Sequence, residues 1–194
     1  RKSMAAKKEE NKTPNQRSAI KSVSSTVSAE IEILKAIQKN RGYTNTEIEV
    51  LKKHSDLVSF AESNNTADAV QRGGGPARGK HQYEMSTPNN SGQTGAKTAV
   101  NRYIQFKQKN KLALTPQDKN LMVDKNPDFS KLSEDLQNAI FYADKAMGKL
   151  PVDALVKGKL SQEEAWADYH WAGLPEEREE KIKYFTTTNK LKLN

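Results

Sequence analysis

Cysteine is absent from the sequence of 194 residues, and so is any long apolar run. Without cysteine, the chain can form neither a disulfide framework nor a thiolate metal site. The apolar runs are too short to span a bilayer, and no charged-then-apolar signal segment stands at the start. The sequence begins with Arg1 instead of methionine, so we expect a processed or excerpted piece of a longer polypeptide.

Metal and nucleotide motifs are also lacking. The three histidines, His54, His81 and His170, do not share the local spacing of metal ligands. The run Gly73-Gly74-Gly75 is not followed by the Gly-Lys-Ser/Thr of a phosphate-binding loop. We therefore expect neither a metal site nor a cofactor.

Charge of one sign does not dominate, because 32 basic residues stand against 24 acidic ones and leave a net charge of +8. A basic excess suits an acidic polymer as partner: nucleic acid, an anionic cell-wall glycan or a membrane surface. Acidic residues are interspersed almost everywhere and no platform of aromatic and basic residues appears, so nucleic acid is not the expected partner. A basic, helical nucleic-acid-binding protein stays a third alternative, and its affinity would depend steeply on salt.

Composition divides the chain into four parts. Residues 1–27 are rich in Lys, Ser, Thr, Asn and Gln and cannot bury enough surface to offset their ordering entropy, which predicts a flexible basic arm or linker. Residues 28–45 predict a short accessory helix with Gly42 as its C-cap. Residues 46–175 form the main domain, and residues 176–194 begin as an exposed helix and end irregularly at 186–188. No period-two alternation is sustained, so the expected fold class is mainly α.

The helix predicted from about residue 46 to residue 62 is the element around which the main domain is organised. Thr46 and Glu49 have the spacing of a capping box at its start. The stripe that follows at helical spacing consists of Ile48, Leu51, Ser55 and Val58, and it ends at Glu62. A second helix, from about residue 95 to residue 109, has one apolar face, and we expect its lysines and Arg102 to be solvated on the other.

Glu62 stands where the stripe calls for an apolar residue. Partial burial disfavours the carboxylate anion, and the C-terminal end of a helix dipole is itself negative, so both effects raise the pKa of Glu62. A carboxyl group that holds its proton near neutral pH can act as a general acid. The alternative is a solvent-facing glutamate at a fraying helix end.

Three short motifs give this pattern a family context. Glu62-Ser63, a polar loop centred on Ala69, and Gly79-Lys80-His81-Gln82 resemble the Glu-Ser and Gly-Leu-Met-Gln motifs of lytic transglycosylases and goose-type lysozymes. The segment 166–173, Trp-Ala-Asp-Tyr-His-Trp-Ala-Gly, is similar to the Ala-Tyr-Asn-Ala-Gly motif of the same superfamily. The matches run in the same order over about residues 46 to 175. The resemblance implies a lysozyme-like, mainly α domain. The glycines and prolines that cluster in residues 63–97 predict a glycine-rich turn or small hairpin after the catalytic helix.

The resemblance also implies a reaction that needs a single carboxyl group. Glycosidic cleavage usually takes two carboxylates, and here Asp68 and Glu84 are alternatives for the second, or else loop-capping and surface charges. In lytic transglycosylases one glutamate protonates the leaving oxygen, the N-acetyl group of the substrate replaces the nucleophile, and the 6-hydroxyl closes a 1,6-anhydro ring. Glu62 would be that glutamate.

The resemblance assigns the remaining site residues to substrate binding. Hydrogen bonds to sugar and acetamide groups would come from Ser63, Gln82 and Tyr83. A wall on which sugar rings stack would be formed by Tyr169, His170 and Trp171. Core packing is the alternative for each of these aromatic residues, as it is for Trp166.

The function that follows is cleavage of peptidoglycan glycan strands between MurNAc and GlcNAc, by a lytic transglycosylase or muramidase carried in a bacteriophage particle. It would act at the bacterial cell wall or periplasm and aid genome entry, and the N-terminal arm would contact other virion proteins. Lys80 and His81 depart from the apolar pair of the second motif, and His170-Trp171 replaces the asparagine of the third. These departures favour the alternative, a catalytically inactive lysozyme-like structural or binding module of a virion.

Overall fold

A computed structural model describes residues 27–193, so almost all of the predicted arm, residues 1–27, lies outside the described residues. The described part is mainly helical, as predicted, with one antiparallel pair of two-residue strands, β1 (Ala77–Arg78) and β2 (Tyr83–Glu84). None of its helices is both long enough and apolar enough to cross a lipid bilayer. Its eight α-helices are α1 (Ala29–Arg41), α2 (Asn45–Ser63), α3 (Gly95–Lys109), α4 (Pro116–Val123), α5 (Glu134–Met147), α6 (Val152–Val156), α7 (Gln162–Trp166) and α8 (Arg178–Thr188).

Helix α5 lies at the centre of the fold. Every residue from Leu136 to Lys145 is buried, so α5 is enclosed on all sides rather than amphipathic. Helices α1 and α3 pack against it, and a single hydrophobic core extends from Ile33 of α1 to Phe185 of α8. The predicted accessory helix is therefore part of the same core.

Helix α2 begins one residue earlier than predicted, and its capping box is a different one. The Thr44 hydroxyl accepts from the backbone N–H of Glu47, and the Glu47 carboxylate accepts from the N–H of Thr44. The predicted pair of Thr46 and Glu49 was wrong because the same spacing occurs twice in this segment. Thr44 has the extended backbone of an N-cap, whereas Thr46 lies inside the helix.

The small hairpin predicted after α2 is present and is tied to the centre of the fold. Gly79 lies between the two strands with φ of +80°, in the left-handed region that favours glycine. The side chain of Gln137 on α5 accepts a hydrogen bond from the N–H of Lys80 at 2.9 Å and donates one to the carbonyl of Ala67 at 2.8 Å. The loop that follows α2 is thereby fixed across α5.

The irregular end predicted at residues 186–188 was wrong. Helix α8 continues to Thr188 because Phe185 is fully buried in the core and anchors it. The Tyr184 hydroxyl donates to the carbonyl of Ala61 at 2.9 Å, and the side chain of Asn189 donates to the carbonyl of Leu57. Helix α8 thus packs against the last turns of α2, beside Glu62.

The solvated charged face predicted for α3 was wrong for Lys107 and Arg102, whereas Lys109 is exposed as predicted. Lys107 is 2% exposed, and its ammonium group lies 2.6 Å from the carboxylate of Asp118, which also accepts from the hydroxyl of Tyr103. Arg102 is half-buried and paired with Asp144 of α5. Because α3 lies between α4 and α5, it meets protein on more than one face.

Candidate active site

A cleft of about 1300 Å³ opens where the last turn of α2 meets the hairpin, the start of α3 and the C-terminal helices. Every site residue predicted from the sequence lines it, although these residues come from segments about a hundred positions apart. The set consists of Glu62, Ser63, Gln82, Tyr83, Tyr169, His170 and Trp171.

Glu62 is held in the cleft wall by a tryptophan. The stripe that leads to it is buried as predicted, and the indole Nε1 of Trp166 donates to its Oε1 at 2.9 Å. Burial raises the pKa of Glu62, and the Trp166 hydrogen bond and the charges of Lys181 and Lys145 oppose that rise without cancelling it. The result is a carboxyl group that keeps its proton to higher pH than an exposed glutamate does.

Ser63 and Gln82 shape the loop above Glu62. The Ser63 hydroxyl donates to the carbonyl of Lys80 at 2.7 Å, and the side-chain amide of Gln82 donates to the carbonyl of Gly79 at 2.9 Å. Gln82 itself has φ of +53°. Both side chains line the cleft, and these hydrogen bonds fix the loop against the end of α2.

Tyr83 is 7% exposed, and its hydroxyl donates to the carboxylate of Asp144 at 2.7 Å. Asp144 also accepts from Arg102 at 2.8 Å. Burial and the Asp144 charge hold the pKa of Tyr83 well above its usual value. Donation from this hydroxyl to a sugar would require the bond to Asp144 to break.

His170 is anchored on both ring nitrogens. Its Nε2 donates to the carbonyl of His81 at 2.7 Å, so in the neutral ring Nδ1 is the acceptor, and it accepts from Nζ of Lys145 at 2.8 Å. Burial and the Lys145 charge hold the pKa of His170 well below its usual value. The ring is therefore neutral, and it supports Lys145 rather than offering a free polar edge to a ligand.

Tyr169 and Trp171 form the open part of the aromatic wall. Tyr169 is 37% exposed at the cleft. The Trp171 ring stacks on Trp166, with centroids 6.2 Å apart and planes at 25°, and Nζ of Lys181 lies 5.7 Å from its centre. These rings combine an apolar face with a nearby cation.

A π-helical turn, Ala167–Trp171, places this wall. It continues from α7 and ends at Ala172, which has φ of +47°. Two hydrogen bonds, 2.6 and 2.9 Å long, join Arg178 of α8 to the carboxylate of Asp168 in the turn. Widened turns of this kind are frequent at functional sites, and here the turn brings Trp166, His170 and Trp171 to the same cleft.

No protein-family model matches the chain, and no curated protein or solved structure matches it either. The likeness to lytic transglycosylases therefore stays a prediction from three short motifs. What the cleft can do is inferred from its own geometry and chemistry.

Two further carboxylates line the cleft in the described part of the chain. Glu84 is exposed on β2, and Asp144 is buried and paired with Arg102. Asp68 belongs to the loop after α2 but is not among the described residues that line the cleft. Glu62 differs from Glu84 and Asp144 in its surroundings, because it accepts from the Trp166 indole and is neither exposed nor paired with an arginine.

The three histidines gather around Phe141, on the inner side of the hairpin. His81 stacks on the Phe141 ring at 4.2 Å, and burial lowers the pKa of His54 to about 3. Among residues 27–193, no group of three or more His, Asp or Glu side chains is arranged to hold a metal ion. Lys80 is also directed away from the cleft, with its ammonium group 2.7 Å from Glu134.

The sequence interpretation did not include several side chains that complete the cleft. The apolar stripe of α5 consists of Leu136, Ile140, Ala143 and Met147, and Lys145 lies on the opposite face, so helical periodicity predicts it to be exposed. It is nevertheless only 4% exposed, because α5 is enclosed on all sides. The signal available in the sequence was the charged pair Asp144-Lys145 inside α5, a helix rich in small and aromatic residues. The residues missed were Arg102, Asp144, Lys145, Trp166, Lys181 and Tyr184.

Proposed function

We propose that this chain cleaves the glycan strands of peptidoglycan, between MurNAc and GlcNAc, with Glu62 as the general acid. The observation that carries the proposal is the state of Glu62. Its carboxyl group lies in the wall of a cleft, is fixed by the Trp166 indole, and has a pKa raised by burial. Such a group keeps its proton to higher pH than an exposed glutamate does and can give it to a glycosidic oxygen.

The size and lining of the cleft support a glycan as ligand. A volume of about 1300 Å³ exceeds what a single small molecule fills, and suits a strand of several sugars. The rings of Tyr169 and Trp171 provide apolar surfaces, and Lys181 and Arg72, which line the same cleft, add positive charge. A polymer with sugar faces and carboxylates matches this combination.

The proposal favours a reaction with one protein carboxyl group. Asp144 is neutralised by Arg102 and engaged by Tyr83, which makes it a poor nucleophile. Glu84 is exposed at the cleft edge and stays a candidate for activating water. Without it, the acetamide oxygen of the substrate would attack C1 as Glu62 protonates the leaving oxygen and the glycosidic bond breaks. The 6-hydroxyl oxygen would then attack C1 and release the acetamide oxygen, while Glu62 takes the proton of that hydroxyl. The products would carry 1,6-anhydro ends.

A catalytically inactive module of the same architecture is the second candidate. The internal hydrogen bonds of Tyr83 and His170 favour it, because these polar groups are already occupied within the protein. Lys80 and His81 depart from the second motif, but their positions in the structure give little support to the inactive module. Their side chains contact Glu134 and Ser55 behind the hairpin, so they do not alter the cleft.

Carriage in a bacteriophage particle belongs to the same proposal and has a separate test. Mass spectrometry of purified particles would detect the chain among virion proteins. Its absence from particles, together with its presence in infected cells, would oppose the virion assignment without bearing on the cleavage chemistry.

The experiment that tests the proposed activity is release of soluble fragments from purified peptidoglycan. The intact chain, Glu62→Gln and Glu84→Gln are compared at equal concentration, with a known muramidase as control for the substrate. We expect release by the intact chain, a loss of at least about a hundredfold in Glu62→Gln, and little loss in Glu84→Gln if the reaction is substrate-assisted. No release by the intact chain would refute the activity and leave the inactive module.

A further inference from the structure

Lys145 is the buried cation of the cleft wall. Its side chain extends from α5, is almost completely buried, and lines the same cleft as Glu62. Its Nζ donates to Nδ1 of His170 at 2.8 Å and lies 5.0 Å from the centre of the Phe141 ring. A buried ammonium group is costly unless such contacts compensate. These contacts hold the amine in one place.

Asp144 does not fully neutralise the charge of Lys145. Oδ1 of Asp144 accepts from Arg102 at 2.8 Å and Oδ2 accepts from Tyr83 at 2.7 Å, whereas Nζ of Lys145 is 3.7 Å from Oδ2. One carboxylate is therefore shared between two cations, and Arg102 has the shorter contact. Burial lowers the pKa of Lys145, and the charge of Asp144, followed by that of Glu62, opposes this and favours the ammonium form.

His170 binds the amine of Lys145 as a neutral ring and adds no second positive charge. Its Nε2–H donates a hydrogen bond to the carbonyl of His81. In the neutral ring, Nδ1 therefore has no proton and accepts a hydrogen bond from Lys145. Burial and the Lys145 charge keep the ring neutral, because they hold its pKa well below the usual value. The ring thus orients the ammonium group of Lys145.

We propose that Lys145, held by His170, is the positioning cation for Glu62: its ammonium group stabilises the Glu62 carboxylate that remains when the proton has moved to the glycosidic oxygen. The inference rests on the proposed role of Glu62 as the acid. In that step the O–H bond of Glu62 and the glycosidic C1–O bond break, a new O–H bond forms on the leaving hydroxyl, and the acetamide oxygen of the substrate bonds to C1. The electron pair of the glycosidic C1–O bond stays on the leaving oxygen, and the anion left on Glu62 meets the Lys145 charge in a site with little water.

Lys181 of α8 is the natural comparison, since its charge also favours the Glu62 carboxylate. It is half-buried over the Trp171 ring, so dissolved salt screens its charge more than that of Lys145. Salt dependence can therefore separate the two cations. The other charged or titratable groups that face Lys145 are Asp144 on α5, Arg102 on α3, His54 on α2, His81 in the hairpin and His170 in the π-helical turn.

The test is a ¹³C NMR titration of the Glu62 carboxyl carbon in the full chain, with Glu62→Gln used to assign the signal. In Lys145→Met we expect the titration midpoint of Glu62 to rise by about one pH unit, because an opposite charge is removed. The rise should persist in about 0.5 M NaCl, whereas a rise in Lys181→Met should shrink there. A folded Lys145→Met chain whose Glu62 midpoint equals that of the wild type would overturn the proposal.

The reciprocal titration covers the case in which Lys145→Met does not fold. Coupling between two sites is mutual, so Glu62→Gln must lower the titration midpoint of Lys145, by the same shift of about one pH unit that is expected for Glu62. NMR of the lysine Cε measures this. An unchanged Lys145 midpoint would also overturn the proposal, and neither titration depends on peptidoglycan cleavage.

Kinetics then tests whether the coupling serves the reaction. We expect Lys145→Met to lower kcat about tenfold or more with little change in KM, and Lys145→Arg to restore part of the loss. An unchanged kcat in a folded Lys145→Met chain would refute the positioning role. Absence of any cleavage by the wild type would instead refute the proposed function, while the titrations still report on the pair.

Discussion

The substitution Glu62→Gln should make the folded chain more stable at neutral pH, although it should abolish the proposed activity. Burial raises the pKa of Glu62 in the folded chain above its ordinary value of 4.5. A group with a raised folded pKa contributes stability fully below the unfolded pKa, and this contribution is lost as the pH rises through the folded pKa. Glutamine keeps the shape of the side chain, never ionises, and can still accept from Trp166.

The size of the effect follows from proton linkage. Between pH 4.5 and the folded pKa of Glu62, the wild type loses up to about 1.4 kcal/mol of unfolding free energy for each pH unit from this group alone. The Glu62→Gln chain has no carboxyl group at this position and does not lose this unfolding free energy. The difference in unfolding free energy between the two chains should therefore grow with pH over that window and then become constant.

Urea unfolding followed by circular dichroism, at intervals between about pH 4 and pH 8, measures this difference. The buried histidines titrate in both chains, so their contribution cancels in the comparison. Glu84→Gln, which removes an exposed carboxylate from the same cleft, is the matched control for the loss of one negative charge. A Glu62→Gln difference that stays constant across the whole range would refute the assignment of a raised pKa to Glu62.

Three other predictions concern the frame of the site. Gly79→Ala should lower the unfolding free energy by about 2 to 4 kcal/mol, because φ is +80° and a Cβ there would lie 2.4 Å from a buried glutamine oxygen; Gly158→Ala, at φ of +74° in open space, should cost about 1 kcal/mol in the same urea assay. Lys107→Met should cost about 3 to 5 kcal/mol because it leaves the Asp118 carboxylate buried without its cation, and a loss below about 1 kcal/mol would contradict this. His54→Gln should lose less stability than the wild type as the pH falls from about 6.5 towards 3, because burial lowers the His54 pKa to about 3; parallel pH profiles would argue against a buried neutral imidazole.

Helical periodicity was enough to predict the helix that carries Glu62. The stripe from Ile48 to Val58 is buried, and Glu62 follows it at the end of α2 with a raised pKa. The small hairpin after it was also predicted, because glycines and prolines cluster there. These features depend on residues close together in sequence, where local spacing carries the information.

The partners of Glu62 could not be predicted in the same way. Trp166 is 104 positions from Glu62 in the sequence, and Lys145 appears exposed when α5 is considered alone. Their burial depends on how many neighbours surround α5, and that is a property of tertiary packing. The same limit explains the wrong prediction of an irregular end at residues 186–188, since Phe185 anchors α8 in a core that no local pattern reveals.

The contacts of individual polar groups were likewise beyond local patterns. Tyr83 and His170 line the cleft, as the predicted site requires, but their hydrogen bonds go to Asp144, His81 and Lys145. Motif similarity can place a residue in a cleft without specifying which atoms face a ligand. Whether the cleft acts on glycans is therefore a question for chemistry rather than for further comparison of motifs.

The most direct measurement is mass analysis of the products that the intact chain and Glu62→Gln release from purified peptidoglycan. The proposed mechanism predicts muropeptides with 1,6-anhydro ends from the intact chain and none from the variant. Reducing ends would indicate hydrolysis, with a water-activating group such as Glu84 in place of the substrate acetamide. Equal product from both chains would contradict the central role of Glu62.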